Sequence, residues 1–356
     1  MISKLIPLKM CRDGLLLDQD IKGSNGAMLA NKDSKISSSL LRILKEMGVE
    51  TIQVKGDFTE GELTLLKHEI AAEEFYIQEF SGKYKTNLDE MHIMMKDISN
   101  GESLKIEKVG EIIGAFIQKG SPQFDVIKCV DALRSTDEYT YTHSLNVSIY
   151  AMLLAKCIKL NTKQVEQVMQ AGLLHDIGKA KIPNEILNKP SRLTNEEFEI
   201  MKTHSTHSYR LIQDSPEIDI NVKKAVLMHH EKENGKGYPL GVSGKNLHLY
   251  ARILAIADVY DALTSTRVYK LGMTPYQAFK IFEDTGIGHF DYQMMNSFMF
   301  NIACFYINNK VMLSDGRICE IVFVSPTRMS MPTIKFENEY IDLTKHPELE
   351  IIKIYT

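Results

Sequence analysis

The sequence predicts a mostly α-helical protein, with a small mixed α/β domain ahead of the helices and a short β appendage behind them. Three observations carry that expectation. Residues 123–308 place apolar side chains at helical spacing, broken only by Gly- and Pro-marked loops. Residues 1–60 alternate short apolar runs with turn signals. Residues 309–356 change to β-rich runs around Asp315-Gly316. These shifts predict an accessory domain over 1–120, which could have a sensory or interaction role or simply pack on the next domain, a helical domain over 121–308 and the appendage over 309–356.

In the first domain, LIPLKM is a short apolar run, Arg12-Asp13-Gly14 reads as a turn, and Gly23 to Gly26 is a second turn signal built on Asn25-Gly26. SSSLLRILKEMG at 37–48 reads as a helix with a serine cap and Gly48 as its stop, and ETIQV follows as a strand. A periodic helical stretch from Glu62 to Phe80 is expected to end at Ser81-Gly82, and the next to break at Ser99-Asn100-Gly101. A further helix is expected around Val109 to Ile117, before the break at Gly120-Ser121-Pro122.

In the helical domain, HSLNVSIYAMLLAKCI is a strongly apolar helix. TKQVEQVMQAGLLHDIG is the next, with Thr162 as cap, Gly178 as stop, and His175 and Asp176 in its last turn. TNEEFEIMKTHSTHSYRLI opens on a capping box, Thr194 with Glu197, and carries His204 and His207 on one face. VKKAVLMHH ends in a histidine pair, and the Gly-rich EKENGKGYPLGVSG cannot continue a helix. NLHLYARILAIADVYDALTS returns to helix and brings Leu254, Asp258 and Asp261 near one another. Two more helices are expected, from Pro275 to Glu283 and from Asp291 to Tyr306. Strands then follow in VMLSDGRICEIVFVSP, TIKFEN and EIIKIY, too few to bury a core alone, so they should pack on the helices or on a partner.

Composition narrows the function classes. A chain of 356 residues, 44% hydrophobic and 25% charged, has the profile of a soluble globular protein of two or three domains. A net charge of -4 gives no general attraction for nucleic-acid polymers or anionic membranes. The five cysteines, Cys11, Cys129, Cys157, Cys304 and Cys319, are scattered and odd in number, so reduced thiols are expected. MISKLIPLKM has no apolar core of signal-peptide length, and no run approaches a membrane span. A cytoplasmic location without a membrane span is the expectation.

The chemistry concentrates between His143 and Asp258. Six of the eleven histidines fall between His143 and His230. His143, His175, Asp176, His204, His229, His230 and Asp258 make a nitrogen-rich, thiolate-free set of the kind that holds transition metals. Adjacent helical residues point about 100° apart, so His175 and Asp176 can serve one ion only at a helix end or when the ion sits between them. Asp176 is thus a candidate bridging ligand, and His229 and His230 could reach different ions. Two ions roughly 3.5–4 Å apart are the usual clamp for phosphoryl hydrolysis, in which a bridging hydroxide attacks phosphorus. Lys179, Arg267 and Lys270 follow the ligands closely and could stabilise charge on phosphoryl oxygens.

At this point the chain resembles the HD-GYP family of cyclic di-GMP phosphodiesterases, a branch of the HD phosphohydrolase superfamily. The resemblance rests on YTYTHSLNVS at 139–148, HDIGKAKIP at 175–183, ILNKPSRLTNEE at 186–197, HSTHS at 204–208, HHEKENGKGYPLG at 229–241, ARILAIADVYDALTSTRVYK at 251–270 and GHFD at 288–291. It covers the middle of the chain and implies an HD-type helical core. It implies a metal-dependent phosphodiesterase that opens cyclic di-GMP to pGpG, and onward to GMP, through a metal-bridging hydroxide. His143, His175, Asp176 and Asp258 look like the superfamily metal set. His204, His229 and His230 look like the histidines of a second ion, with Asp176 bridging. Lys179 resembles the family lysine at the scissile phosphate, and Arg267 and Lys270 the clamps on the far side of the substrate. Gly237, Tyr238 and Pro239 match the namesake motif, whose tyrosine lines the guanine or ribose-phosphate pocket. Asp137 and Asp261 are candidates for proton handling or for orienting a ligand, and each could equally be a carboxylate hydrogen-bonded to a metal-bound imidazole.

The departures are informative. Asn234 stands where an aspartate usually precedes the first loop glycine, which implies a loop effect more than loss of activity. Tyr139 stands where relatives with three metals can carry a glutamate, so two ions are expected, not three. Asn309 replaces a common glycine and affects only a turn. Iron or manganese suits the donors first, with zinc or nickel acceptable and magnesium least suited. Three other readings compete: an HD hydrolase of another nucleotide, a low-turnover or non-catalytic cyclic dinucleotide receptor, and a di-iron oxygenase. The Gly-Tyr-Pro loop counts against the first and the complete ligand set against the second. The missing Glu-x-x-His pattern counts against the third. A homodimer or a signalling partner would be served by the N-terminal domain.

Overall fold

Alternating apolar residues at the start of the chain build a three-stranded antiparallel sheet. The computed structural model describes residues 2–11, 15–22, 28–37, 40–41, 44, 51–58, 60–117, 130, 139–266, 272–337 and 339–355. They divide into two units, Met1–Ile77 and Gln78–Thr356. In the first, β1 (Ile2–Pro7), β2 (Leu16–Leu17), β3 (Ile21–Lys22), β4 (Met28–Ala30) and β5 (Thr51–Gly56) form a β1-β5-β2 sheet and a β3-β4 ladder. Register in β1–β5 runs from Ile2 opposite Gly56 to Pro7 opposite Thr51. Ile6, Leu15, Leu17, Ile36, Ile52 and Val54 are its buried core. The turns at 12–14 and 23–26 lie outside the described residues, as does most of the helix expected over 37–48.

The helix α1 (Glu60–Ser99) runs straight through Ser81-Gly82, where the sequence reading places a break. A glycine in a helix interior costs about 1 kcal/mol relative to alanine. Burial of Phe80 and Tyr84, on either side of it, outweighs that cost. α1 does stop at Ser99, and α2 (Ile106–Phe116) follows with Val109, Ile112, Ile113 and Phe116 buried.

The helical core is laid down by α3 (Tyr139–Cys157), α4 (Thr162–Leu174), α5 (Asn184–Leu187), α6 (Asn195–Lys202), α7 (His204–Ile212), α8 (Ile220–Met228), α9 (Leu249–Thr264), α10 (Pro275–Thr285) and α11 (Tyr292–Phe305). α3 is buried on every face from 142 to 155, which explains its apolar run. α4 is capped by Asn161, not Thr162: Asn161 Oδ1 accepts from Gln164 N, and Gln164 Oε1 accepts from Asn161 N. It ends at Leu174, earlier than expected, and a 3₁₀ turn over Ile177–Lys181 replaces the last helical turn. The capping box of Thr194 with Glu197 opens α6 as its sequence predicts. The single helix expected over 194–212 is divided at Thr203, whose N–H bonds the i−3 carbonyl of Ile200.

The last strands are β6 (Lys310–Leu313), β7 (Ile318–Ser325), β8 (Arg328–Phe336), β9 (Glu339–Asp342) and β10 (Ile351–Tyr355), in the order β10-β6-β7-β8-β9. β9 is additional to the expected strands. The sheet packs on the helices: Glu283 of α10 accepts from Ser330 N and Oγ, Lys280 pairs with Glu350, and Thr274 Oγ1 donates to Ile351 O. No described helix is long and apolar enough to cross a membrane.

Candidate metal centre

Several helix ends and the middle of α9 converge on one buried point. His143 comes from the N-terminal part of α3, and Asp258 from the middle of α9. His175 and Asp176 follow the last residue of α4. His204 opens α7, and His229 and His230 follow α8. Asp176 leaves the helix at φ -106°, ψ 3°, a sparsely occupied region in which active-site residues often sit. That turn lets neighbouring side chains face one centre. Gly178 is required for it, because a Cβ there would collide with His204 O and Ser208 N of α7.

The seven sequence-predicted ligands are all brought together. Three overlapping groups, His143–His175–Asp258, His175–Asp176–His229 and His204–His229–His230, each present ligand atoms within 4.8 Å of one another. His143 Nε2 is 3.1 Å from Asp258 Oδ1. Asp176 reaches both ends of the cluster. Its Oδ2 lies 3.5 Å from His143 Nε2 and 3.3 Å from His175 Nε2, and its Oδ1 lies 3.3 Å from His204 Nε2. His207, on the same helix as His204, joins none of the groups.

The outer contacts fix the rings. His175 Nδ1 donates to Gly172 O, His204 Nδ1 to Met201 O and His229 Nδ1 to Val226 O, each at 2.7 Å. Gly172 and Val226 belong to last helical turns, whose carbonyls lack intrahelical partners. His143 Nδ1 donates to Asp261 Oδ2 at 2.7 Å. A carbonyl or carboxylate on Nδ1 holds the proton there and leaves Nε2 as a lone pair. Those lone pairs point inward. His175 Nε2 and Asp176 Oδ1 are buried without a hydrogen-bond partner. Converging buried acceptors with no donor are costly, and a cation removes that cost. The residues therefore fit a divalent metal pair.

Electrostatics agree. Burial depresses His204 and His229, and burial takes His230 down to about 3 against the opposing pull of Asp258. Burial would also lower His143, but Asp258 and Asp261 outweigh it and hold it at about 9. Burial would raise Asp176 and Asp258, yet both stay well below the usual carboxylate range. His175 and Lys179 hold Asp176 down, and His143 holds Asp258 down.

Around the centre, Lys179 Nζ sits 2.5 Å from Asp176 Oδ2. The Tyr238 ring packs on His230 at 4.7 Å, and burial, then Asp258 and Asp176, keep its hydroxyl protonated. Gly237 is required where it stands, since a Cβ would collide with Glu231 Cα and His230 O. Pro239 is exposed at the loop tip. Asn234 makes an Asx turn, its Oδ1 accepting from Lys236 N. A cavity beside the cluster is lined by His230, Glu231, Asp258, Phe282, His289 and Phe290. Asp137, Arg267 and Lys270 lie outside the described residues, and so does the side chain of Tyr139.

Sequence reasoning missed two neighbours. Glu231 is 2% exposed, and its Oε1 accepts from Leu240 N and Gly241 N, which ties down the far end of the Gly-Tyr-Pro loop. An acid directly after a histidine pair and ahead of a Gly-rich loop was the available signal. Lys202 stands over the Tyr238 ring at 5.8 Å, and nothing in the sequence marks it.

Comparison with known proteins places this geometry in context. A family model described as an HD domain matches residues 129–294. A cyclic di-GMP phosphodiesterase of Pseudomonas aeruginosa is 31% identical over 242 residues, 68% of this chain and 58% of that protein. The cyclic di-GMP phosphodiesterase response regulator RpfG of Xanthomonas campestris pv. campestris is 40% identical over 144 residues, 40% of this chain and 38% of that protein. The 3'3'-cGAMP-specific phosphodiesterase 1 of Vibrio cholerae is 35% identical over 170 residues, 48% of this chain and 39% of that protein. The matches thus span less than two thirds of each relative.

Proposed function

Residues 129–294 belong to the HD domain family, in its HD-GYP branch, and on that premise we propose that the protein is a metal-dependent phosphodiesterase that opens cyclic di-GMP to pGpG and onward to GMP. The observation that carries the reading is the convergence of seven buried nitrogen and oxygen donors beside the Gly-Tyr-Pro loop. His143, His175 and Asp258 would hold one ion, His204, His229 and His230 the other, with Asp176 shared. Iron or manganese suits these donors best. A bound ion pair supplies Lewis acidity, which acidifies water to near neutrality and neutralises developing charge on phosphoryl oxygens.

The chain's own residues do the rest. Lys179, at the edge of the cluster beside Asp176, is placed to hold a non-bridging phosphate oxygen as charge grows on it. Tyr238, braced on His230, walls the pocket for the base or ribose-phosphate. Asp261 serves as the orienting carboxylate. Its Oδ2 is engaged by His143, and its Oδ1 accepts from Asn146 and Ser265, which leaves it poorly placed for proton transfer. Arg267 and Lys270 are proposed as far-side clamps and Asp137 as a further carboxylate of the site. The catalytic part is residues 121–308, with 1–120 accessory and 309–356 an appendage. A cytoplasmic location fits the reduced thiols of Cys157, Cys304 and Cys319.

The Vibrio cholerae relative acts, by its name, on 3'3'-cGAMP, so a hybrid cyclic dinucleotide is the second reading. The test is turnover by protein prepared anaerobically and supplied in turn with Fe²⁺ and Mn²⁺, with cyclic di-GMP and 3'3'-cGAMP compared by chromatography. Appearance of pGpG or GMP, lost in Asp176→Asn, supports the proposal. Turnover of 3'3'-cGAMP alone moves it to the second reading, and tight binding without product overturns it in favour of a receptor.

A further inference from the structure

Tyr84 lies on α1, well upstream of the matched HD segment, yet it is linked to the centre by an unbroken line of hydrogen bonds. Its hydroxyl donates to Asn146 Oδ1 at 2.7 Å. Asn146 Nδ2 donates to Asp261 Oδ1 at 2.9 Å, and Asp261 Oδ2 accepts from His143 Nδ1 at 2.7 Å. Tyr84 is 1% exposed, and Asn146 and Asp261 are 0% exposed. From these contacts we infer that Tyr84 is a positioning residue of the metal centre, setting the orientation of Asn146 and through it the Asp261–His143 pair. This inference rests on the metal-centre reading and goes beyond it, by assigning a role to a residue outside the HD segment.

A primary amide has two unlike ends. Asn146 can present either an acceptor or a donor to Asp261. A tyrosine proton on Oδ1 fixes that end toward Tyr84 and delivers the donor end to Asp261. The reverse orientation would set a carbonyl against a carboxylate in a buried site, where no water can compensate. With its Oδ1 satisfied by Asn146 and Ser265, Asp261 offers Oδ2 to His143 and keeps the proton on Nδ1. His143 Nε2 then faces Asp258 and Asp176, and in the neutral ring that a metal requires it is the lone pair. Packing holds the donor in place: Phe80 stacks on Tyr84 at 6.4 Å and also packs on Phe116 at 5.2 Å.

Tyr84→Phe keeps the ring and removes the proton that distinguishes the ends of Asn146. Titration of the full-length apoprotein with Mn²⁺ by equilibrium dialysis should show one ion bound about tenfold more weakly, the lower end for losing an outer partner of a ligating histidine. Asn146→Ala should weaken the same ion. Tyr276→Phe is the control: it removes a buried hydroxyl bond to Ala303 O at 3.3 Å, away from this line, and should leave the isotherm unchanged. In an Asp261→Asn background Tyr84→Phe should add no further loss, because the two act through one contact. A Tyr84→Phe isotherm superimposed on the parent's overturns the inference, as does an additive loss in the double variant. A parent protein that binds no Mn²⁺ overturns the metal-centre reading itself, and the inference with it.

Discussion

The Nε2 atoms of His204 and His229 lie 3.2 Å apart, and each ring donates its Nδ1 proton to a backbone carbonyl. Two lone pairs therefore face one another in a buried site, where each would ordinarily need a donor. Burial holds both imidazoles neutral, so a shared proton does not resolve the contact. A cation does. His230 Nε2 also comes within 3.1 Å of His204 Nε2, so three imidazoles crowd one point. The fold thus carries unfavourable contacts that metal binding relieves, which couples stability to occupancy.

Chelation should accordingly destabilise the protein. A ligand at 100 times its dissociation constant stabilises by about 2.7 kcal/mol. Thermal melts with and without Mn²⁺ should show a Tm that rises with free metal, and Asp176→Asn should flatten that rise while abolishing turnover. Normal metal content with full activity in Asp176→Asn would remove it from the site.

Glu231→Ala should loosen the Gly-Tyr-Pro loop without emptying the centre. It removes two hydrogen bonds to a charged group, from Leu240 N and Gly241 N, worth roughly 1.5–3 kcal/mol each. The expected pattern is unchanged metal content and a KM raised more than kcat falls. Glu231→Gln keeps one oxygen acceptor and should recover most of the loss. Equal damage from both variants would point to the carboxylate charge and not to the loop.

The ligand set was legible because metal chemistry uses few residue types, and a His-Asp pair or a His pair at a helix end is conspicuous in a sequence. Thr194 with Glu197 was legible for the same local reason. What failed locally was decided by packing. α1 passes Ser81-Gly82 because Phe80 and Tyr84 are buried around it. α4 gives up its last turn where the 3₁₀ segment must fit Gly178 against α7. β9, EYID, has no apolar alternation and pairs only because β8 offers an edge. Tyr84 could not be found at all, since its partner lies 62 residues away and no motif joins them.

The apoprotein should lose stability as pH rises from neutral to alkaline. His143 titrates near 6.5 when unfolded and at about 9 when folded, raised by Asp258 and Asp261 against its burial. A raised folded value contributes stability that is complete below about 6.5 and lost as pH climbs through 9. The depressed histidines, His204, His229 and His230, act below about 6.5 and leave this window alone. Melts in chelator at pH 6.5 and pH 9 should show the decline, and Asp258→Asn should make it shallower. With metal present the trend should reverse, because protons compete with the ion for imidazole. A flat apoprotein profile would show that the His143–Asp258 contact forms only around the ion.

Lys179→Ala separates two roles that the geometry leaves joined. Its Nζ touches Asp176 Oδ2, so it could act as a counter-ion to a ligand or as a donor to the substrate. Burial would raise Asp176, and His175 is the foremost group opposing that, ahead of Lys179. Loss of the lysine should therefore leave Asp176 ionised and the metals in place. The lysine side chain keeps 24% of its surface open, enough for a phosphate oxygen to reach it. Losing one transition-state donor lowers turnover by about 10²–10³-fold. Metal content by elemental analysis, measured beside kcat, decides the matter. Full metal with that loss assigns Lys179 to the substrate, and falling metal in step with activity assigns it to Asp176.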